Sequence, residues 1–383
     1  MRKMLHICLI ALAALWGCAK EAPVQLNLRD GAICWNASVD GMGTKAYPDN
    51  PTVYSISNTF GSFAMLYYGD DTDWGTASYQ VYIPGQQVRY FSAGTPMWST
   101  LDEYYWPQTA NARLHFASYS PYLTLHNYAK YDDPAKGIEI ENYTVPADIE
   151  DQNYTVGADG LVFYDDDLMV SDEYDADCAW MQTNDEHEYG FDGVPTLFRH
   201  VMSRVNVSFV QNNDFQVNYY DSLKINIYSV KLNGIYTRGS YAALASGDKW
   251  SGRGGITDGA VIYDDIVGSD AISTNSAHPD TLVRNYIVLP QTIAANQQEI
   301  EIFYRISAYV EGYVFTEDVT EKAWLNAANR NWEESTDLTY TITLFAIREL
   351  PIQFTATCEP WVDNKTALGV EKPGQNFHLT EED

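Results

Sequence analysis

The chain has 383 residues, a length typical of two domains, and 45% of the residues are hydrophobic, which is ample for two cores. Its formal net charge is −29, with 52 acidic residues against 23 Lys and Arg. This charge excludes nucleic acid as an expected partner and argues against adsorption to anionic lipid, because both require a basic surface.

The first residues predict an export signal that ends in a lipid attachment site. Arg2 and Lys3 are followed at 4–15 by an apolar run that is too short to cross a bilayer. A glycine then precedes Cys18, as in bacterial lipoprotein signals. We predict that residues 1–17 are removed and that Cys18 carries the acyl chains that anchor the protein in the outer membrane. The alternative is an ordinary secretory signal with a chance cysteine.

Residues 18–45 are predicted to form a lipidated N-terminal segment that contains one strand. Within it, 32–39 alternates between apolar and polar positions, which indicates a half-buried β-strand. The large apolar residues Ile33, Trp35 and Val39 share one face of this strand, so we expect that face to lie in a core.

The rest of the chain favours β-structure, with 29 Tyr, 14 Phe and 10 Trp among its residues. We place two β-domains at 46–195 and 196–383. We expect a glycine-rich loop at 247–259 and a short helix at 322–331. The segments with the clearest strand pattern are 62–68, 77–83, 88–91, 113–118, 202–210, 223–232, 286–289, 299–310, 313–319, 338–344 and 352–358.

Several short motifs follow one another along most of the chain, and their order and spacing resemble those of the fimbrillin-like proteins of Bacteroidetes, the subunits of type V pili. The most specific is an aromatic-Trp-Pro segment followed by a strand that ends in Ser-Pro. The matching segments are 43–46, 60–64, 105–107, 114–121, 167–171, 200–205 and 357–361.

The resemblance implies an all-β protein of two tandem transthyretin-like β-sandwich domains with Greek-key-like topology. It also implies a surface fimbria as the location and other pilus subunits as partners, with a ligand on a host or bacterial surface as a further expectation. In that family a protease that cuts after Arg or Lys removes the N-terminal strand of the precursor, and a neighbouring subunit supplies a replacement.

Lys45 is the best candidate for such a cut, because it follows the predicted strand in a glycine-containing connection, where proteolysis concentrates. Arg29 precedes the strand, so a cut there would release the lipid without opening a groove. The alternative is that Lys45 is an ordinary loop residue. Residues 362–383 contain few apolar side chains for a donor strand, which leaves the donor end open, as well as the choice between stalk, tip and anchor subunit.

The sequence predicts no enzyme, cofactor or metal site. It contains no HExxH, GxSxG or P-loop pattern and no closely spaced cysteine pair. We interpret the acidic clusters at 70–73, 165–167 and 172–177 as solvated loops rather than calcium ligands. Cys34, Cys178 and Cys358 are expected to be buried thiols, although one disulfide is possible.

An aromatic cluster leaves a second function open. It comprises Trp74, Trp98, Tyr104, Tyr105 and Trp106. We expect these rings to fill a core, but they would also suit stacking on sugars. The leading hypothesis is therefore a structural or adhesive pilus subunit, the alternative is a non-polymerising surface lipoprotein that binds glycans, and a β-sandwich hydrolase is the third.

Overall fold

The computed structural model describes residues 32–40, 52–69, 78–92, 97–181, 193–212, 222–265, 280–328, 330–345 and 353–361. Within these ranges the chain is mainly β-strand, which confirms the predicted all-β fold. The α-helices among the described residues are one turn long, and none has the length and apolarity needed to cross a bilayer.

The N-terminal half contributes thirteen strands: β1 Trp35–Val39, β2 Thr52–Val53, β3 Phe60–Tyr68, β4 Gln80–Phe91, β5 Met97–Thr100, β6 Ala112–Ser120, β7 Ala129–Lys130, β8 Glu139–Thr144, β9 Tyr154–Val156, β10 Val162–Tyr164, β11 Met169–Ser171, β12 Tyr174–Asp177 and β13 Val194–His200. Helices α1 and α2 span Tyr122–Leu125 and Cys178–Met181, and a 3-10 turn spans Ile149–Asp151.

The C-terminal half contributes ten strands and a 3-10 turn, Leu325–Ala328. The strands are β14 Ser203–Asn212, β15 Ser222–Asn233, β16 Ile235–Ala242, β17 Trp250–Thr257, β18 Ala260–Asp264, β19 Asp280–Val288, β20 Glu299–Val310, β21 Tyr313–Trp324, β22 Thr336–Phe345 and β23 Gln353–Pro360. The loop expected at 247–259 is therefore wrong, because β17 occupies most of it and pairs with β16. The helix expected at 322–331 is also wrong, since β21 runs to Trp324 and only a 3-10 turn follows.

Nine strands of the N-terminal half form one sheet, in the order β11-β13-β1-β5-β4-β3-β6-β12, with β2 paired to β1. Because β11 also pairs with β6, seven of these strands form a closed circuit. Its apolar side chains form the N-terminal core, whose buried members are Ile33, Trp35, Val39, Tyr54, Phe60, Ala64, Ile83, Val88, Trp98, Trp106, Ala112, Leu114, Phe116, Met169, Ala176, Cys178, Val194 and Phe198.

Two four-stranded sheets of the C-terminal half enclose a C-terminal core. Their orders are β19-β14-β22-β23 and β18-β15-β20-β21. Strands β14 and β22 run parallel over ten residues, and the inward side chains Val205, Val207 and Phe209 of β14 are fully buried, as the alternation at 202–210 predicts. β15, β20 and β22 contribute further Ile, Leu and Tyr residues to this core.

A third four-stranded sheet, in the order β17-β16-β8-β7, contains strands from both halves of the chain. Its apolar side chains lie in a middle core that includes Trp250 and Trp361. The indole N–H of Trp250 donates to the carbonyl of Val201 at 2.7 Å. The predicted boundary between 195 and 196 falls inside β13, which pairs within the nine-stranded sheet.

Candidate functional site: the groove around the first strand

The first strand, β1, is paired along both of its edges. On one edge it runs parallel to β13, in register from Trp35 opposite Val194 to Val39 opposite Phe198. The pairing continues past the end of the strand, where the amide of Asp40 donates to the carbonyl of Phe198 at 2.8 Å. This continuous ladder is the stronger of the two edges.

Three separate segments share the other edge of β1. The amide of Ile33 donates to the carbonyl of Tyr104 at 2.7 Å, and β5 places Trp98 opposite Trp35. The two residues of β2 pair with the C-terminal end of the strand. Because no single strand follows β1 along this edge, the backbone pairing there is less regular than the ladder to β13.

The three residues that sequence reasoning selected as strand anchors lie together in the N-terminal core. Ile33, Trp35 and Val39 are only 1–2% exposed. Ala37, on the same predicted face, is half-buried and packs against the same core. Side chains this deeply buried contribute about 1.5–3 kcal/mol each. Ile33, just before the strand, and the face of β1 formed by Trp35 and Val39 therefore provide a large share of this segment's contact with the rest of the protein.

Trp35 has the most specific environment of the three. Its indole N–H donates to Oγ of Ser62 at 3.0 Å, and the hydroxyl of Ser118 donates to the same oxygen at 3.0 Å. The edge of the Phe116 ring meets the indole, with the ring centroids 6.3 Å apart. A buried indole N–H needs such an acceptor, so Ser62 fixes the orientation of the anchor.

A buried ion pair lies at the C-terminal end of the strand. The carboxylate of Asp40 is fully buried and contacts the guanidinium of Arg199 in β13. The same guanidinium binds Asp172 with two hydrogen bonds of 2.7 and 2.8 Å. A buried carboxylate is tolerated only when it is paired, so Asp40 depends on this arginine. Neither Asp40 nor Arg199 was selected from the sequence, because the two residues are brought together only by the pairing of β1 with β13.

A small cavity of about 20 Å³ adjoins the same end of β1. Val39, Val53, Tyr54, Phe163 and Met169 contribute to its walls. This volume exceeds the roughly 10–15 Å³ that one water molecule needs and is far too small for an organic ligand. The packing around the Val39 end of the strand therefore leaves room for about one water molecule.

Several residues named in the sequence analysis lie outside the described part of the chain: Cys18, Arg29, Lys45, Trp74 and residues 362–383. Of the three cysteines within it, Cys178 is buried, Cys34 is half-buried and Cys358 is exposed, and none forms a disulfide. The expectation of burial is therefore wrong for Cys358, because β23 is the edge strand of its sheet.

The acidic cluster at 165–167 is not a solvated loop, which corrects the sequence interpretation. Asp166 is buried and accepts a hydrogen bond from the hydroxyl of Tyr143 at 2.5 Å, and burial raises its pKa to about 6. Asp167 is also buried, 2.7 Å from Nδ1 of His200. Both carboxylates are thus bound by protein groups, and no metal-binding cluster of His, Cys, Asp and Glu occurs among the described residues.

The four described residues of the aromatic cluster, Trp98, Tyr104, Tyr105 and Trp106, are buried or half-buried. Trp98 and Trp106 are buried in the N-terminal core, which confirms the expectation that they fill a core. Tyr104 and Tyr105 are half-buried. The hydroxyl of Tyr82 donates to the carbonyl of Tyr105, which ties this segment to β4. These four residues therefore offer no exposed platform for stacking on sugars.

Comparisons with known proteins agree with this architecture. The model of a fimbrillin-like family matches residues 64–361. A fimbrial protein from Bacteroides vulgatus has a similar solved structure, with a TM-score of 0.55 and 15% identity over 86% of this chain and 99% of that chain. No curated protein sequence matches this chain.

Two further solved structures are more distant. A putative cell adhesion protein from Bacteroides uniformis has a TM-score of 0.43 and 15% identity, covering 87% of this chain and 99% of that one. Another, from Parabacteroides distasonis, has a TM-score of 0.45 and 12% identity, covering 87% and 98%. Of these three structures, that of the B. vulgatus protein has a TM-score above 0.5, and it shares its fold with this chain.

Proposed function

This chain belongs to the fimbrillin-like family, and we propose that it is a structural or adhesive subunit of a type V pilus rather than an enzyme. In this proposal the precursor is exported as a lipoprotein and anchored in the outer membrane through Cys18. Cleavage after Lys45 then releases the lipid together with the strand at 32–39. A strand from a neighbouring subunit replaces the released one.

The observation that carries the proposal is the burial of Ile33, Trp35 and Val39 in a core whose other walls come from other strands. Loss of β1 would leave a groove between β13 and β5, lined by large aromatic side chains such as Tyr54, Phe116 and Phe198. An apolar groove flanked by two bare strand edges favours pairing with another chain.

The energetics favour replacement over a permanently open groove. Burial of the three anchors contributes roughly 5–9 kcal/mol, before the backbone hydrogen bonds are counted. A strand from another subunit restores both the apolar contacts and the ladder to β13. Because one strand replaces another, the exchange need not be strongly favourable in itself. Cleavage gives it a direction, since the original strand departs with its lipid.

The position of the proposed cut suits the end of β1 that is easier to open. In the sequence, Lys45 follows Asp40 by five residues, and the strand end that precedes it, at Val39, adjoins the small cavity. The short β2 pairs with this end, whereas the indole of Trp35 is held near the other. We therefore propose that displacement begins at Val39 and reaches Trp35 and Ile33 last.

Matched variants at the two basic residues test the assembly step. Protein recovered from the cell surface should begin at Ala46 in the wild type and in Arg29→Gln, and both should form ladders on a denaturing gel run without heating. Lys45→Gln should keep the lipid on Cys18 and form no ladder. A wild-type terminus at Cys18, or ladders from Lys45→Gln, would contradict the proposal. Retention of the lipid with binding to glycans would favour the alternative function.

A further inference from the structure

The β20–β21 hairpin ends the outer sheet of the C-terminal half with an unusual edge. Within the described chain, β21 has a neighbour on one side only, and it is twelve residues long. Large apolar side chains are exposed at both of its ends: Tyr313 is 71% exposed, Val314 53%, Phe315 62% and Trp324 42%. Long apolar edge strands favour pairing with another chain, and proteins normally protect them.

The geometry of the hairpin determines which backbone groups of β21 point to the open side. Val310 and Tyr313 close a two-residue turn, and both turn residues, Glu311 and Gly312, have positive φ. In such a turn the closing pair exchanges hydrogen bonds, and the pattern then alternates along the strands. The even-numbered residues from Val314 to Trp324 therefore direct their N–H and C=O groups away from β20.

If a second copy of β21 runs antiparallel beside the first, the side chains at these even positions can face partners of opposite charge. Asp318 and Lys322 lie two residues to either side of Thr320 and carry opposite charges. Both are about half exposed, although Asp318 binds Arg305 at 2.6 Å and Lys322 binds Glu299 at 2.8 Å. Trp324 and Thr316 occupy the next pair of even positions.

We propose that β21 is the contact surface for a second copy of this chain, paired antiparallel about a twofold axis at Thr320. This register places each Asp318 opposite Lys322 of the second copy, and it uses the backbone groups that point outward. Each Val314 then lies diagonally beside Trp324 of the second copy, within reach for apolar contact. The exposed apolar residues and the charges are thus used by the same contact.

Charge selects this register over its neighbours. An axis at Asp318 would place two aspartates opposite each other, and an axis at Lys322 would do the same with two lysines. An axis at Val319 would oppose Glu317 and Glu321. Like charges directly opposite are destabilising, so the register centred on Thr320 is favoured. A single strand edge is smaller than a standard interface, so dimerisation should be weak and should depend on protein concentration.

Sedimentation equilibrium over a wide concentration range tests the contact. The chain from residue 19 onward keeps β1 in place, so the measurement is independent of cleavage and strand exchange. The wild type should form a dimer at high concentration. Lys322→Glu places like charges opposite each other twice, and it should raise the dimer dissociation constant at least about tenfold. Lys231→Glu is the matched control, because Lys231 also lies opposite Glu301 but on the interior strand β15.

A backbone variant supports the test if the charge change disturbs folding. Thr320→Pro removes an outward N–H without removing a hydrogen bond to β20, so it should abolish dimerisation while the thermal transition stays close to that of the wild type. The proposal is overturned if the wild type is monomeric at every concentration. It is also overturned if a dimer forms that Lys322→Glu and Lys231→Glu weaken equally, or that folded Thr320→Pro retains.

Discussion

The N-terminal and C-terminal cores are closed in different ways. Seven of the 18 buried residues in the N-terminal core are aromatic, against six of 29 in the C-terminal core. The N-terminal core also takes three large side chains from the start of the described chain, namely Trp35 and Val39 from the five-residue strand β1 and Ile33 from just before it. A core built from few large side chains leaves a large void when one strand is lost, whereas many Val, Ile and Leu residues spread the contribution over several strands.

Loss of the whole first strand should give the largest difference in stability between the two cores. A chain that begins at Ala46 should lose roughly 5–9 kcal/mol of burial free energy in the N-terminal half. Hydrogen exchange should then show weaker amide protection in β3 and β6 and unchanged protection in β15 and β20. A peptide of residues 32–40 should restore the protection, and the same peptide with Trp35→Ala should fail. Unchanged exchange in β3 and β6 would refute the dependence on β1.

Within β1, the single largest effect is expected at Trp35. Trp35→Ala should lower the free energy of unfolding by about 3–5 kcal/mol, because it leaves a cavity and removes the hydrogen bond from the indole to Ser62. The matched control is Trp324→Ala on the exposed edge of the C-terminal sandwich, where a change within about 0.5 kcal/mol is expected at low protein concentration. Urea unfolding followed by circular dichroism measures both values. Equal effects would show that the two regions do not differ as described.

The next largest difference between the two regions is expected in the pH dependence of stability, because the N-terminal half contains a buried histidine. Burial lowers the pKa of His115, but the hydrogen bond between its ring and Asp175 at 2.6 Å and the charge of the Glu173 carboxylate, 3.3 Å from Nε2, raise it overall to about 9. The folded state thus holds this proton more tightly than the unfolded state. The stabilisation is complete below the unfolded pKa of 6.5 and is lost as the pH rises through about 9.

The corresponding experiment compares His115→Gln with a charged pair on the C-terminal sandwich. The wild type should lose up to roughly 3 kcal/mol between neutral and alkaline pH, and His115→Gln should abolish most of that loss. Arg305→Gln, which breaks an exposed pair with Asp318, should leave both the urea midpoint at neutral pH and the shape of the pH profile close to those of the wild type. Urea midpoints across the pH range give the answer, and a profile that His115→Gln does not flatten would rule out this role.

The smallest effect is expected at the serine that orients the anchor. Ser62→Ala removes the acceptor of the Trp35 N–H and should cost about 1–2 kcal/mol. Ser251→Ala, on an exposed position of β17, should be close to neutral. The fluorescence of the tryptophans during urea unfolding reports both variants. A neutral Ser62→Ala would show that the shape of the groove alone holds the indole.

Local alternation was sufficient to predict the buried faces of the two regions. The period of two placed Ile33, Trp35 and Val39 on one face, and all three lie in the N-terminal core. It did the same for β14 in the C-terminal core. This succeeds because the face of a strand is a local property, fixed by the geometry of the backbone.

Two local predictions were wrong because tertiary pairing overrides local preference. Gly252 and Gly255 suggested a loop, but they lie within β17 with positive φ, where the pairing with β16 shifts register. The sequence at 322–331 favoured a helix, yet β21 continues to Trp324 because β20 supplies a partner along its full length.

The details of the groove were not accessible to sequence reasoning. Asp40 and Arg199 meet only because β1 runs parallel to β13, and nothing near either residue indicates that pairing. The contact between Trp35 and Ser62 likewise follows from the order of strands in the sheet. Parallel pairing across a long sequence separation leaves no local pattern, so the site emerges only with the topology.

The parallel pairing of β1 with β13 also sets the order of events during synthesis. β1 is the first strand of the nine-stranded sheet to leave the ribosome, and β13 is the last. The edge of β1 that pairs with β13 therefore stays unpaired until nearly the whole sheet has been made. Such long-range pairing is slow, so the sheet can close at β1 only after β13 has been made.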